Sequence, residues 1–110
     1  MSERERRIGL NEAVHREVNE KLRVVNEVFA TITDTFEIIC ECGDSSCAAR
    51  LSITPSAYEE LRAEPTLFAV TAGHEIPDVE DVVLTTEQYD VVKKRPGDPA
   101  KIATATDPRS

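Results

Sequence analysis

The sequence has no tryptophan, only two tyrosines and three phenylalanines, and no apolar run that approaches the length of a membrane-spanning helix. Such a helix needs about 20 consecutive apolar residues, so we expect no membrane span. So few aromatic side chains cannot form the stacking platform that single-stranded nucleic acids require. Basic residues are also scarce, because 13 lysines and arginines stand against 21 aspartates and glutamates and leave a net charge of −8. A nucleic-acid-binding face is normally basic, so we expect no nucleic-acid partner.

Several motifs that mark enzymes are missing as well. There is no glycine-rich phosphate loop, no H-E-x-x-H zinc motif and no G-x-S-x-G nucleophile motif. The first seven residues, MSERERR, carry charges where a secretory signal has an apolar segment. We therefore expect a non-enzymatic protein of the cytoplasm. With 110 residues, the chain is long enough for one small domain with a thin hydrophobic core.

Three cysteines, Cys40, Cys42 and Cys47, stand within eight positions of one another. An odd number of cysteines without a secretory signal is a poor disulfide framework. Three thiolates crowded on one turn would repel one another, and a divalent cation removes that repulsion. Zinc takes four ligands in a tetrahedron, most often from cysteine and histidine. The spacing C-x-C-x4-C therefore predicts a zinc site, with reduced structural thiols and a redox disulfide as the alternatives.

The fourth ligand must come from elsewhere in the chain, which has only two histidines. His74 follows a glycine just after the apolar run 67–70, at the expected end of a strand, from which it can reach a neighbouring turn. His15 lies inside a predicted long helix among charged residues. The predicted zinc site therefore has four protein ligands: Cys40, Cys42, Cys47 and His74. Asp44, Glu75 or a water molecule are the alternatives to the histidine.

A site with four protein ligands fills the zinc tetrahedron and leaves no open position for catalysis, so we expect the zinc to be structural. Glu41 and Glu75 stand near it as candidate general bases, but charged residues in turns are expected to be solvated. Gly43, directly after Cys42, is expected to take a positive φ so that the thiolates on both sides face one centre. Oxidation of the thiolates would release the metal, so a zinc-thiolate redox switch is the alternative function.

The N-terminal third of the chain is predicted to be a long amphipathic helix. Residues 5–32 contain no proline, and apolar residues recur there at spacings of three and four. We expect a helix over residues 11–34, which would be about 36 Å long and would overshoot the body that follows. The stripe from residue 22 to residue 32 is expected to cover the sheet. Its upstream part, residues 8–18, is expected to contact a protein partner or a second copy of the chain.

The rest of the chain alternates short β-rich and helical segments. We expect five strands, over residues 36–40, 50–54, 67–70, 79–84 and 89–93, the last two forming a hairpin. Thr54 as an N-cap and Pro55 in the first turn predict a helix that ends before Pro65. A short helix is expected over residues 100–106.

These elements predict an α+β fold with a small antiparallel-rich sheet, a zinc turn at its edge and a long N-terminal helix before it. The prediction divides the chain into an N-terminal amphipathic helix, residues 1–34, and a zinc-stabilised α+β domain, residues 35–110.

Three segments resemble a family of small uncharacterised bacterial proteins. The first is R-R-I-G-L-N-E-A-V-H-R-E-V-N-E, which contains Asn11, Glu12, Arg16, Val18, Asn19 and Glu20. The second runs from F-E-I-I-C-E-C-G-D-S-S-C through S-I-T-P-S-A-Y-E-E-L-R to G-H-E, and the third is T-D-P-R near the C-terminus. The resemblance implies the fold and a bound metal, and it implies no catalytic activity. Similar sequences are expected to have an aromatic residue where this chain has His15, so the resemblance gives His15 no role as a ligand.

Overall fold

The computed structural model describes residues 2–26 and 34–109, which form three helices and five strands in the order α1–β1–β2–α2–β3–β4–β5–α3. The helices are α1 (Glu3–Val25), α2 (Pro55–Ala63) and α3 (Asp98–Ala105). The strands are β1 (Phe36–Ile39), β2 (Arg50–Ile53), β3 (Leu67–Val70), β4 (Glu80–Thr85) and β5 (Asp90–Lys94). The predicted α+β fold with a long N-terminal helix is confirmed.

The five strands form two small antiparallel sheets, where the sequence predicted one. β1 pairs with β2, and Ile38 lies opposite Leu51. The second sheet has the order β3–β5–β4, with both pairs antiparallel. The chain just after β1 joins the two sheets, because the Glu41 amide donates a hydrogen bond of 2.8 Å to the Ala69 carbonyl oxygen of β3.

The start of α2 and the turn between β4 and β5 form as the sequence predicts. The Thr54 hydroxyl oxygen accepts a hydrogen bond of 3.1 Å from the Ala57 amide, and Pro55 occupies the first turn of α2. Such a cap satisfies an amide that has no partner within the helix. The predicted hairpin between β4 and β5 is also confirmed, and it is closed by a hydrogen bond of 2.8 Å from the Thr86 amide to the Tyr89 carbonyl oxygen.

The hydrophobic core has two parts. The first part lies between α2 and the two sheets and consists of Phe36, Ile38, Leu51, Ile53, Tyr58, Leu61, Ala69, Tyr89 and Val91. The second consists of Cys40, Cys42, Phe68, Val70, Val92 and Ala103. Two of the three predicted cysteine ligands therefore belong to the core, and the candidate metal centre rests on buried apolar side chains.

Helix α1 begins eight residues before its predicted start. The Ser2 hydroxyl oxygen caps it by accepting a hydrogen bond of 3.0 Å from the Glu5 amide. Gly9 lies inside the helix where α3 approaches closely, and a Cβ atom there would stand 3.0 Å from the Ile102 Cδ1 atom. The predicted end at Asp34 is wrong, because this residue has a φ of 63° and is not helical; the intervening residues 27–33 lie outside the described part of the chain. No helix within residues 2–26 and 34–109 is long and apolar enough to cross a membrane.

The face of α1 that meets the body is mainly polar, and this corrects the prediction from hydrophobic spacing. The buried residues of α1 are Ile8, Gly9, Glu12, His15, Arg16 and Asn19. Val14 and Val25 of the predicted apolar stripe are 61% and 70% exposed. The expectation that Val25 helps to cover the sheet is therefore wrong, as is the expectation that Ile8 needs another chain, since the body already buries it. The division of the chain at residue 34 stays a prediction.

Buried ionic groups take the place of apolar contacts beneath α1. The Lys94 ammonium of β5 lies between the carboxylates of Glu12 and Glu80, and all three side chains are buried. The Arg16 guanidinium donates to the carbonyl oxygens of Pro65 and Ala103 at 2.7 and 2.8 Å. Buried charges are costly unless they are paired and hydrogen-bonded. The polar side of α1 therefore fits the body only when these partner groups on the body are in place.

Candidate metal centre

The structure brings together the four residues that the sequence predicts as metal ligands. The sulfur atoms of Cys40, Cys42 and Cys47 and a ring nitrogen of His74 all lie within 4.8 Å of one another. The cysteines come from the end of β1 and the turn before β2, and the histidine comes from the loop after β3. No other such group of histidine, cysteine and acidic side chains occurs in the described ranges 2–26 and 34–109.

The spacing between the ligand atoms agrees with a tetrahedral zinc ion. The His74 Nδ1 atom lies 3.6 Å from the Cys40 sulfur and 3.7 Å from the Cys47 sulfur. With usual zinc–sulfur and zinc–nitrogen bond lengths, the sulfur–nitrogen edge of a regular tetrahedron is about 3.6 Å. These two edges therefore match the tetrahedral spacing, and the four ligand atoms lie close enough together to hold one metal ion.

The first ligand, Cys40, is held by hydrogen bonds from both sides. Its amide donates to the Ala49 carbonyl oxygen at 2.7 Å and so extends the β1–β2 pairing by one residue. Its sulfur accepts a hydrogen bond of 3.2 Å from the Thr71 amide in the loop after β3. A hydrogen bond to a ligand atom orients it and stabilises its negative charge. The loop that carries His74 thus also supports Cys40.

A tight turn carries Cys47 back toward the other sulfurs. The Asp44 carboxylate accepts hydrogen bonds from the Ser46 amide at 2.9 Å and from its hydroxyl at 2.7 Å. The Cys47 amide then donates to the Asp44 carbonyl oxygen at 3.0 Å. Side-chain caps of this kind are typical of aspartate at the first position of a turn. Asp44 shapes the ligand turn and is not one of the four clustered ligands.

Glycine occurs in this turn because of crowding, and the prediction of a positive φ at Gly43 is wrong. In the described part of the chain, the glycines with positive φ are Gly73 and Gly97. A Cβ atom at Gly43 would lie 2.9 Å from the Ile8 side chain and 3.0 Å from the Ile76 side chain. The absence of a side chain therefore lets the ligand turn pack closely beneath α1.

His74 stands at the end of a turn that requires glycine. Its amide donates to the Thr71 carbonyl oxygen at 2.9 Å, and Gly73 between them has a φ of 89°. Side chains other than glycine rarely adopt this conformation. The imidazole is solvent-exposed, whereas Cys40 and Cys42 are buried. The candidate metal site therefore has a buried sulfur side and an accessible side formed by His74 and the half-buried Cys47.

Burial disfavours the thiolate form of the two inner cysteines. It raises the pKa of the Cys42 thiol to about 12 and also raises the pKa of Cys40. Without a cation, both groups would stay protonated at neutral pH. A coordinated divalent metal stabilises thiolates and displaces their protons. The buried sulfur cluster therefore suits a metal ion much better than it suits free thiolates.

Glu41, a candidate general base from the sequence, has a different role. The expectation that it is solvated is wrong, because its side chain is fully buried and pairs with the Arg62 guanidinium of α2 at 2.7 and 2.8 Å. It also accepts hydrogen bonds from the Asn19 side chain and the Ala69 amide. With all these donors, Glu41 anchors the segment between Cys40 and Cys42. Glu75, the other candidate, lies outside the ligand cluster.

Reasoning from the sequence did not identify the residues of α1 that support the site. His15 lies outside the ligand cluster, and its Nδ1 atom is 2.9 Å from the Cys42 carbonyl oxygen. Because a carbonyl can only accept, Nδ1 carries the proton in this hydrogen bond. Asn11 and Asn19 also bond to this segment. Asn11, His15 and Asn19 follow one another at four-residue spacing, which was visible in the sequence, but their hydrogen-bond partners were not.

Comparison of the chain with known protein families, curated proteins and solved structures finds no match. The resemblance to the family of small bacterial proteins therefore stays a prediction.

Proposed function

We propose that this chain is a non-enzymatic zinc-binding protein in which the metal has a structural role. The observation that carries the proposal is the convergence of three sulfurs and one imidazole nitrogen within 4.8 Å. Four protein ligands complete the tetrahedron that zinc prefers, and an open coordination position is what catalytic zinc sites need. The ion would tie the end of β1, the turn before β2 and the loop after β3 together.

Elemental analysis of protein purified without chelator tests this proposal. We expect one zinc ion per chain in the wild type, and much less in Cys42→Ser and His74→Ala. Ser45→Ala is the matched control, because Ser45 is an exposed residue of the same turn. Wild-type protein without bound metal after incubation with zinc, or full zinc content in both ligand variants, would contradict the proposal.

The second part of the proposal is that α1 presents an interaction surface, so that the protein acts as an adaptor. Leu10, Val14 and Val18 follow one another at four-residue spacing and are exposed on α1, and Val18 also lines the groove between α1 and β1. A ridge with this spacing is the surface that helices most often use to pack against one another. The surface suits a helix of a protein partner, and a second copy of the chain is the first such partner to test.

Sedimentation equilibrium of the metal-loaded protein tests this second part. If the ridge pairs with a second copy, the wild type is a dimer and Val14→Asp is a monomer, while Glu17→Ala, an exposed neighbour on the same helix, stays dimeric. A dimer that Val14→Asp leaves intact would show that the ridge is not the contact. A wild type that is monomeric at high concentration would contradict self-association.

A zinc-thiolate redox switch is the alternative function, and the accessibility of Cys47 favours it. Peroxide would oxidise the Cys47 thiolate to a sulfenic acid, a neighbouring thiolate would then displace hydroxide from it to form a disulfide, and the metal would leave. We expect a zinc indicator to report release at near-stoichiometric peroxide if this function is correct. Retention of zinc under a large excess of peroxide would exclude it.

A further inference from the structure

The polar face of α1 contacts the main chain of the segment that bears the first two cysteines. The Asn11 amide donates to the Gly43 carbonyl oxygen at 2.9 Å, and His15 Nδ1 donates to the Cys42 carbonyl oxygen at 2.9 Å. Asn19 donates to the Ile39 carbonyl oxygen at 2.9 Å and accepts from the Ile39 amide at 2.8 Å. One side of α1 thus makes four hydrogen bonds to residues 39–43, spread over about two turns of the helix.

These hydrogen bonds depend on the conformation of the cysteine segment. All of their partners on the body are backbone atoms, so each is in place only when the main chain of residues 39–43 follows the path seen here. Hydrogen bonds weaken steeply when their geometry departs from linear. Asn19 and His15 are buried, so a shift of the segment would leave them without partners in a site that water does not easily reach.

If these hydrogen bonds break, the burial of apolar side chains contributes little to keeping α1 packed on the body. Ile8 is the one large apolar residue that is buried in α1, all of which lies within the described residues 2–26. The remaining buried contacts are polar, such as the hydrogen bond that Lys94 donates to Glu12 and the bonds of Arg16 to carbonyl oxygens. A helix held mainly by directional contacts is released more readily than one held by a hydrophobic face.

The candidate metal restrains the same segment from its other side. Cys40 and Cys42 lie within residues 39–43, and the metal would tie them to Cys47 and His74. Building on the proposed zinc site, we propose that metal binding and the docking of α1 are coupled. The metal fixes the segment in the conformation that α1 recognises, and docked α1 in turn tightens the metal site. Coupling of two equilibria acts equally in both directions, so it can be tested from either side.

The first test measures whether α1 contributes to metal affinity. Zinc competition with a chromophoric chelator is measured for the wild type, Asn11→Ala and the control Glu17→Ala. Asn11 is half-buried and hydrogen-bonds to the Gly43 main chain, whereas Glu17 is exposed on the other side of the same helix. Loss of a support outside the ligand shell typically weakens metal binding about tenfold or more. We expect at least a tenfold loss in Asn11→Ala and none in Glu17→Ala.

The second test measures whether the metal holds α1. Hydrogen exchange of the full chain is compared with zinc bound and after removal of zinc by a chelator. We expect faster exchange at the amides of residues 7–25 after zinc removal, while the amides of β5 remain more protected. If zinc removal makes the whole chain exchange faster, the zinc affinity of Asn11→Ala decides whether the coupling exists.

The outcomes separate the coupling from the zinc site on which it rests. If the wild type binds zinc tightly, Asn11→Ala binds it equally tightly and the exchange of α1 is unchanged by zinc removal, the coupling is overturned and the zinc site stands. If the wild type binds no zinc, the proposed function fails and the coupling falls with it. Weakened zinc binding in Glu17→Ala to the same degree as in Asn11→Ala would also overturn it, because the effect would not be specific to the polar face.

Discussion

Replacing Arg62 by methionine tests the buried ion pair that anchors the cysteine segment. The Arg62 and Glu41 side chains are 1% and 0% exposed, and two hydrogen bonds of 2.7 and 2.8 Å join them. Arg62→Met leaves the Glu41 carboxylate buried without its countercharge. Breaking a buried pair on one side costs about 3–5 kcal/mol. That is a large part of the about 5–15 kcal/mol by which a domain of this kind is stable.

Urea unfolding followed by circular dichroism measures this loss. With a usual dependence of about 1–3 kcal/mol per molar urea for a small protein, we expect the midpoint to fall by about 1 M or more. The double variant Glu41→Gln/Arg62→Met removes both charges, and we expect it to be more stable than Arg62→Met alone.

The matched control for this prediction is the exposed ion pair between Arg95 and Asp81. Its nitrogen–oxygen distance is 2.6 Å, as short as the buried pair, but its side chains are 46% and 60% exposed. Exposed pairs contribute about 0–1 kcal/mol, so we expect Arg95→Met to change the midpoint little. If Arg62→Met lies within about 1 kcal/mol of the wild type, the argument that burial makes this pair essential is refuted.

Three further predictions follow from other parts of the structure. Burial raises the pKa of Glu12 from 4.5 to about 8, so this group lowers the free energy of unfolding increasingly as pH rises from 4.5 to 8. Because Glu12→Gln lacks the titrating carboxyl, its melting temperature should fall less over this range than that of the wild type. Arg109 forms ion pairs of 2.7 Å with both Glu20 of α1 and Glu59 of α2. We expect Arg109→Ala to lower the free energy of unfolding in urea by about 1 kcal/mol. An unchanged value would contradict the idea that Arg109 holds the two helices together. Gly73→Ala strains the turn before His74 by about 1 kcal/mol. Chelator competition should therefore show weaker zinc binding for Gly73→Ala than for Gly73→Asn, because asparagine tolerates a positive φ.

The candidate ligands could be predicted because their chemistry is local and rare. Three cysteines on one short turn are typical of a metal site, and His74 follows a glycine at the end of a strand. The cap at Thr54 and the β4–β5 hairpin were predictable for the same reason, since each depends on neighbouring residues. Gly43 shows where local reasoning fails, because the atoms that exclude a side chain there belong to Ile8 and Ile76.

The orientation of α1 could not be predicted from hydrophobic spacing. That method assumes that a helix buries its apolar face, whereas α1 buries Glu12, His15, Arg16 and Asn19 and exposes valines. The buried groups are stable there because each meets a partner far away in the sequence, such as Lys94 for Glu12. A pattern within one segment contains no information about such partners.

X-ray absorption spectroscopy at the zinc edge of the wild-type protein would identify the ligands of the proposed zinc site. We expect about three sulfur neighbours at about 2.3 Å and one nitrogen neighbour at about 2.0 Å, in four-coordinate geometry. A first shell dominated by oxygen, or one with fewer than three sulfurs in fully reduced protein, would contradict it.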